Sequence, residues 1–110
     1  MDKKKLDEQI QYMLSLEDDF DGEGSPGYKK ETTEKAKRYL TYMEKELKEK
    51  KLDMGEPNFM MGPYGSVDIH WKNKNYELLF NVPVGDKPAT YWGDNHGKGW
   101  IMKGEILLEE

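Results

Sequence analysis

Between Asp53 and Pro57 the apolar residues change their period, and that change limits the chain to one class of fold. Before it they recur every three or four places. Leu6, Ile10, Met13 and Leu14 share one helical face, and Ala36, Tyr39, Leu40, Met43 and Leu47 form a second, longer stripe. After it they alternate. Phe59 and Met61, then Val67, Ile69 and Trp71, then Tyr76, Leu78, Phe80 and Val82 take every second place, as side chains of a half-buried strand do. Helices first and strands afterwards predict an α+β fold rather than a parallel sheet wound through alternating helices.

The expected elements are helices over about 3–17 and 31–51 and strands within 57–108, in a single 110-residue domain. Glu31 and Glu34 open the second helix, and Lys48, Lys50 and Lys51 close it, each charge suiting the helix dipole. Gly62-Pro63-Tyr64-Gly65 reads as a turn and Asn73-Lys74-Asn75 as a hairpin connection. Pro83 and Pro88 bracket a loop, a strand follows at Thr90 to Trp92, and a Gly-rich loop spans Gly93 to Gly99. Trp100 to Leu108 closes the set as an edge strand, a short helix being the alternative. The two helices should pack on one face of an antiparallel meander of four or five strands.

Composition removes several classes of function. With 35% of residues charged and 35% hydrophobic, disorder has to be considered, but clustered apolar residues and 12% aromatics argue for a packed core. There is no Cys, so disulfides, Cys-ligated zinc, iron–sulfur clusters and thiol catalysis are excluded. No window approaches the ~18 apolar residues of a membrane span. No apolar stretch follows Met1-Asp2-Lys3-Lys4-Lys5, so the expected location is the cytoplasm. Lys and Arg number 17 against 22 Asp and Glu, and neither half of the chain is basic, so nucleic acid is not an expected partner.

The loop after the first helix invites a metal reading. With Asp19 as the first position of a calcium loop, Asp21 and Glu23 occupy the third and fifth, and Gly24 the sharp-turn position. The position of the closing bidentate Glu holds Lys30, with Glu31 one residue late. Such a loop should bind calcium weakly or not at all, and no other cofactor is implied. The plain alternative is a helix–helix connection with Phe20 and Tyr28 turned into the core.

Phe20-Asp21-Gly22-Glu23-Gly24-Ser25, then Glu31-Thr32 and Ala36, then Gly65-Ser66-Val67-Asp68-Ile69-His70-Trp71 resemble a family of small prokaryotic and phage proteins. That family carries an aromatic-Asp-Gly-x-Gly-small loop and a Gly-Ser-hydrophobic-x-hydrophobic-x-Trp strand. The resemblance covers roughly residues 16–82. It implies this order of elements and no particular activity.

Other residues bear on function. His70 alternates with Ile69 and Trp71, which predicts an outer sheet face showing Asp68, His70, Glu77 and Leu79, on which Asp68 and Glu77 could form a carboxylate pair. His96 beside Asp94 has the residue types of a general base or a metal site, and a polar turn is the simpler reading. Gly93-x-x-x-Gly97-x-Gly99 lacks the Gly-Lys-Ser/Thr ending of a phosphate loop. Met54, Met60 and Met61 suit either a core or an adaptable contact surface. Tyr64, Tyr91, Trp92 and Trp100 cluster in or near loops, where aromatics either cap a small core or anchor a protein partner.

Three functions are therefore open. With no catalytic constellation present, the residues favour a non-enzymatic protein-binding or regulatory module, monomeric or homodimeric. A metal-binding domain or small metal-assisted hydrolase using Asp19, Asp21 and Glu23 is the second, and an acidic mimic of nucleic acid the third. The incomplete calcium loop gives a direct expectation. A thermal melt in chelator should be unchanged by calcium, because a native-state ligand at a hundredfold excess over its Kd would add about 2.7 kcal/mol and visibly raise the midpoint. A calcium-specific rise would instead place Asp19, Asp21 and Glu23 at the centre of function.

Overall fold

The computed structural model describes residues 3–16 and 27–108. Two helices, α1 (Lys3–Leu14) and α2 (Lys30–Glu49), precede five strands: β1 (Pro57–Met61), β2 (Val67–Lys72), β3 (Glu77–Val82), β4 (Ala89–Asp94) and β5 (Ile101–Ile106). The strands pair antiparallel in the order β1-β2-β3-β4-β5, a meander in which each strand lies beside its neighbours in sequence. The fold is α+β, as the change of period predicts. The closing segment is a strand at the sheet edge, not a helix.

Both helices stop short of their expected ends. At α1 the backbone tightens, with Ser15 N–H donating to the carbonyls of Gln11 and Tyr12 and the Ser15 hydroxyl donating to Tyr12 O at 2.6 Å. At α2 the cause is Lys51, which takes a left-handed conformation at φ 57°. Its N–H donates to Lys48 O and that of Leu52 to Leu47 O, so the chain turns out of the helix two residues early in a Schellman-type cap. Asn73 shapes the β2–β3 connection through its side-chain oxygen, which accepts from the N–H groups of Asn75 and Tyr76.

Register assigns every strand residue to a face. Phe59, Ile69, Phe80, Tyr91 and Gly104 form one inner row, flanked by the row of Trp71, Leu78, Gly93 and Met102 and by that of Val67 and Val82. α1 packs on β1, and α2 on β2 and β3. Their stripes, Leu6, Ile10 and Met13 with Ala36, Tyr39, Leu40, Met43 and Leu47, close over that face. An aromatic column runs through it: Tyr39 lies 5.7 Å from Phe80, and Phe80 stacks on Tyr91 at 5.6 Å and 8°. The Tyr39 hydroxyl donates to Ile106 O and accepts from Leu108 N–H, fastening the end of β5 to α2.

Two polar contacts complete the frame. Gln9 on α1 meets the outer edge of β1, its Oε1 accepting from Phe59 N–H at 2.9 Å and its Nε2 donating to Asn58 Oδ1 at 3.3 Å. The Lys35 ammonium donates to the carbonyls of Pro83, Gly85 and Lys87, holding the β3–β4 connection against α2. Among the described residues no helix is long and apolar enough to cross a membrane.

Leu79 and Phe80 are neighbours on opposite faces, with Leu79 40% exposed and Phe80 fully buried. Phe80→Ala should cost about 3–5 kcal/mol through the cavity it leaves. Leu79→Ala should stay within about 0.5 kcal/mol, as surface changes do. Urea unfolding of the two variants measures the difference, and equal costs would contradict the assignment of faces.

Candidate binding surface

Among the described residues both helices lie on the inner face, and the outer face of the sheet is left uncovered. Its central row runs Asn58, His70, Leu79, Trp92, Lys103 from β1 to β5. Leu79 and Trp92 are directly opposed across β3 and β4, 40% and 47% exposed. The Lys103 ammonium sits 5.9 Å from the centre of the Trp92 ring, an attraction of cation for aromatic face that holds the indole from the β5 side. On the β2 side His70 Nε2 lies 2.7 Å from Glu77 Oε2. The middle of this face is thus an apolar pair set between polar groups that are already partnered.

The neighbouring row carries Met60, Asp68, Asn81, Thr90 and Glu105, the other Lys72, Glu77, Asp94 and Ile101. Asp68 stands opposite Asn81 and Glu77 opposite Lys72, so the carboxylate pair read from the sequence does not form. Asp68 instead accepts from Asn81 Nδ2 at 2.8 Å, and Ser66 Oγ accepts from the same amide nitrogen at 3.0 Å. Ser66 in turn donates to Pro63 O at 2.7 Å. Gly62 closes this cluster, because a Cβ there would run into Ser66 Oγ. The Tyr28 hydroxyl reaches Gly62 O, and burial, with the Asp68 carboxylate close by, pushes its phenol above the ordinary range.

That cluster braces the turn between β1 and β2, and the turn displays Tyr64. Tyr64 is 90% exposed and left-handed at φ 56°, a conformation that costs a non-glycine residue energy. An aromatic ring held in water on a strained backbone contributes nothing evident to packing.

The other aromatics divide. Tyr91 faces inward, stacked on Phe80, with its ring across Gly104, where a Cβ would come within 2.8 Å of the hydroxyl. Trp100 is half-buried and packs edge-on against Tyr76 at 5.4 Å and 69°. Both line a shallow groove beside the end of α2, with Leu52 and Met102, on the side of the sheet away from Trp92. The structure therefore brings Trp92 together with Leu79 and Lys103, and not with Tyr91 or Trp100. Lys103 escaped the sequence reading because its place beside Trp92 depends on the register of β4 with β5.

The two histidines have separate partners, His70 on Glu77 and His96 on the backbone of the β2–β3 connection. His96 Nε2 donates to Asn73 O at 2.7 Å, and the Asp94 carboxylate accepts from the backbone N–H of His96, so imidazole and carboxylate are not paired. Together with Asn95 Oδ1, which accepts from the N–H groups of Lys98 and Trp100, these bonds brace the Gly-rich loop. Asp19, Asp21 and Glu23 lie outside the described residues. Met54 is buried in the core, whereas Met60 and Met61 are exposed.

Comparison of the chain with protein-family models, with curated proteins and with solved structures finds no match in any of the three.

The strain at Tyr64 is measurable. Tyr64→Gly removes a left-handed cost of about 1–2 kcal/mol and adds back about 0.5–1 kcal/mol of chain entropy. The variant should be more stable in urea by up to about 1.5 kcal/mol, and a loss of stability would show that the ring packs.

Proposed function

We propose that this chain is a non-enzymatic protein-binding module that engages its partner through the uncovered sheet face, with Trp92 and Leu79 at the centre of contact. The observation that carries this reading is the opposed pair itself, two large apolar side chains half exposed in the middle of a face with no helix over it among the described residues. An exposed apolar centre with a polar surround is the usual anatomy of a recognition patch, and Trp is enriched among the residues that dominate such contacts. Lys103 orients the indole in advance, which reduces the side-chain entropy lost on binding.

Charge favours a protein over a nucleic acid as the occupant. The face carries Asp68, Glu77, Asp94 and Glu105 against Lys72 and Lys103, an unfavourable surface for phosphates. Tyr64, at the β1–β2 end of the sheet, is a second contact available to the same partner.

A photo-crosslinking residue introduced in place of Leu79 should capture a specific protein. That protein, once purified, should bind Trp92→Ala about thirtyfold more weakly, the loss of about 2 kcal/mol expected of a central anchor. The melting midpoint of the variant should be nearly unchanged. Equal affinity for wild type and Trp92→Ala would remove the face from consideration.

A further inference from the structure

The two edges of the sheet are treated differently. On β1 the Gln9 side chain occupies the edge N–H of Phe59, and α1 lies alongside. Among the described residues no strand pairs with the outer side of β5, and the only side chain bonded to the backbone of 101–108 is Tyr39, at the strand's end. A row of unsatisfied N–H and C=O groups is a template for another strand. The usual deterrents are sparse here: β5 holds no Pro, and Lys103 is its one cation.

We infer that β5 pairs antiparallel with β5 of a second copy of this chain, about a two-fold axis at Gly104 perpendicular to the sheet. The order of side chains singles out that occupant and that register. With Gly104 opposite Gly104, Lys103 of each copy faces Glu105 of the other, so two opposite-charge pairs form on the outer face. On the inner face Met102 faces Ile106, and on the outer face, flanking the charge pairs, the exposed Ile101 faces Leu107, which is 60% exposed. A slip of two residues in one direction would oppose Lys103 to Lys103, and in the other Glu105 to Glu105. A slip of one residue would turn the inner face of one copy to the outer face of the other, which no such two-fold allows. Gly104 places no side chain at the axis, where two would otherwise meet. The sheet becomes continuous over ten strands, with both helix layers on one side and both Trp92 residues on the other. The pairing does not depend on what the uncovered face binds.

The test uses charge reversal in the full chain, read by sedimentation velocity over a concentration series. Wild type should move from monomer to dimer as concentration rises. Lys103→Glu alone and Glu105→Lys alone each turn both attractive pairs repulsive and should weaken the dimer at least about tenfold. Mixing these two single variants should restore a dimer, because two carboxylates of one chain then face two ammonium groups of the other. The double variant Lys103→Glu/Glu105→Lys should pair with itself. Circular dichroism checks that each variant is folded, and recovery on mixing excludes misfolding as the reason for a single variant's loss. A wild type that stays monomeric at millimolar concentration, or single variants that dimerise as wild type does or fail to recover when mixed, would overturn the proposal.

Discussion

Two helices have to bury the apolar side of a five-stranded sheet, and where they sit decides everything else about the surface. Strands about 4.8 Å apart put the axes of β1 and β5 roughly 19 Å from each other, and two helices packed side by side, about 10 Å apart, would nearly span that width. They are not centred. α1 lies at β1 and α2 over β2 and β3, so the cover runs out before β4 and β5. The aromatic column Tyr39–Phe80–Tyr91 compensates, carrying the core sideways beneath α2 toward the last two strands. The Tyr39 hydroxyl then fixes the end of β5. The opposite face receives no helix at all among the described residues, which is why Leu79 and Trp92 stand in solvent.

Much of this was legible in the residue order. Alternation through Val67, Ile69 and Trp71 and through Leu78, Phe80 and Val82 is strict, and all six side chains are buried. β4 was harder. A short run read as Thr90 to Trp92 shows two aromatics side by side, and a period of two cannot say which turns inward. Ala89 and Gly93 settle the phase, but only once the strand is known to reach them. The end of α2 falls two residues earlier than its pattern suggests because Lys51 adopts a conformation usually reserved for glycine, which leaves no compositional mark. The partnership of Lys103 with Trp92 and the separation of Asp68 from Glu77 are matters of register, which no single residue within a strand displays.

The strand segment from Gly65 to Trp71 has a structural account. Ser66 bonds the carbonyl that starts its own turn, Val67, Ile69 and Trp71 fill the core, and Asp68 joins Asn81 in bracing the same turn. Each residue answers a folding requirement, and what those requirements jointly produce is a firm platform for Tyr64. The chemistry of the segment is spent on holding a shape.

The contact of Gln9 with β1 has a further meaning in the language of polymerisation. A sheet with one receptive edge can add one neighbour and then stops, because each copy has used its only growing end. A sheet with two receptive edges presents a fresh end after every addition and elongates without limit. Gln9 bonds one edge amide and α1 packs against β1, which makes this edge less receptive than that of β5. In the proposed β5–β5 pair, one side-chain amide far from Trp92 in sequence would act as a chain stopper, separating a closed assembly from a fibre.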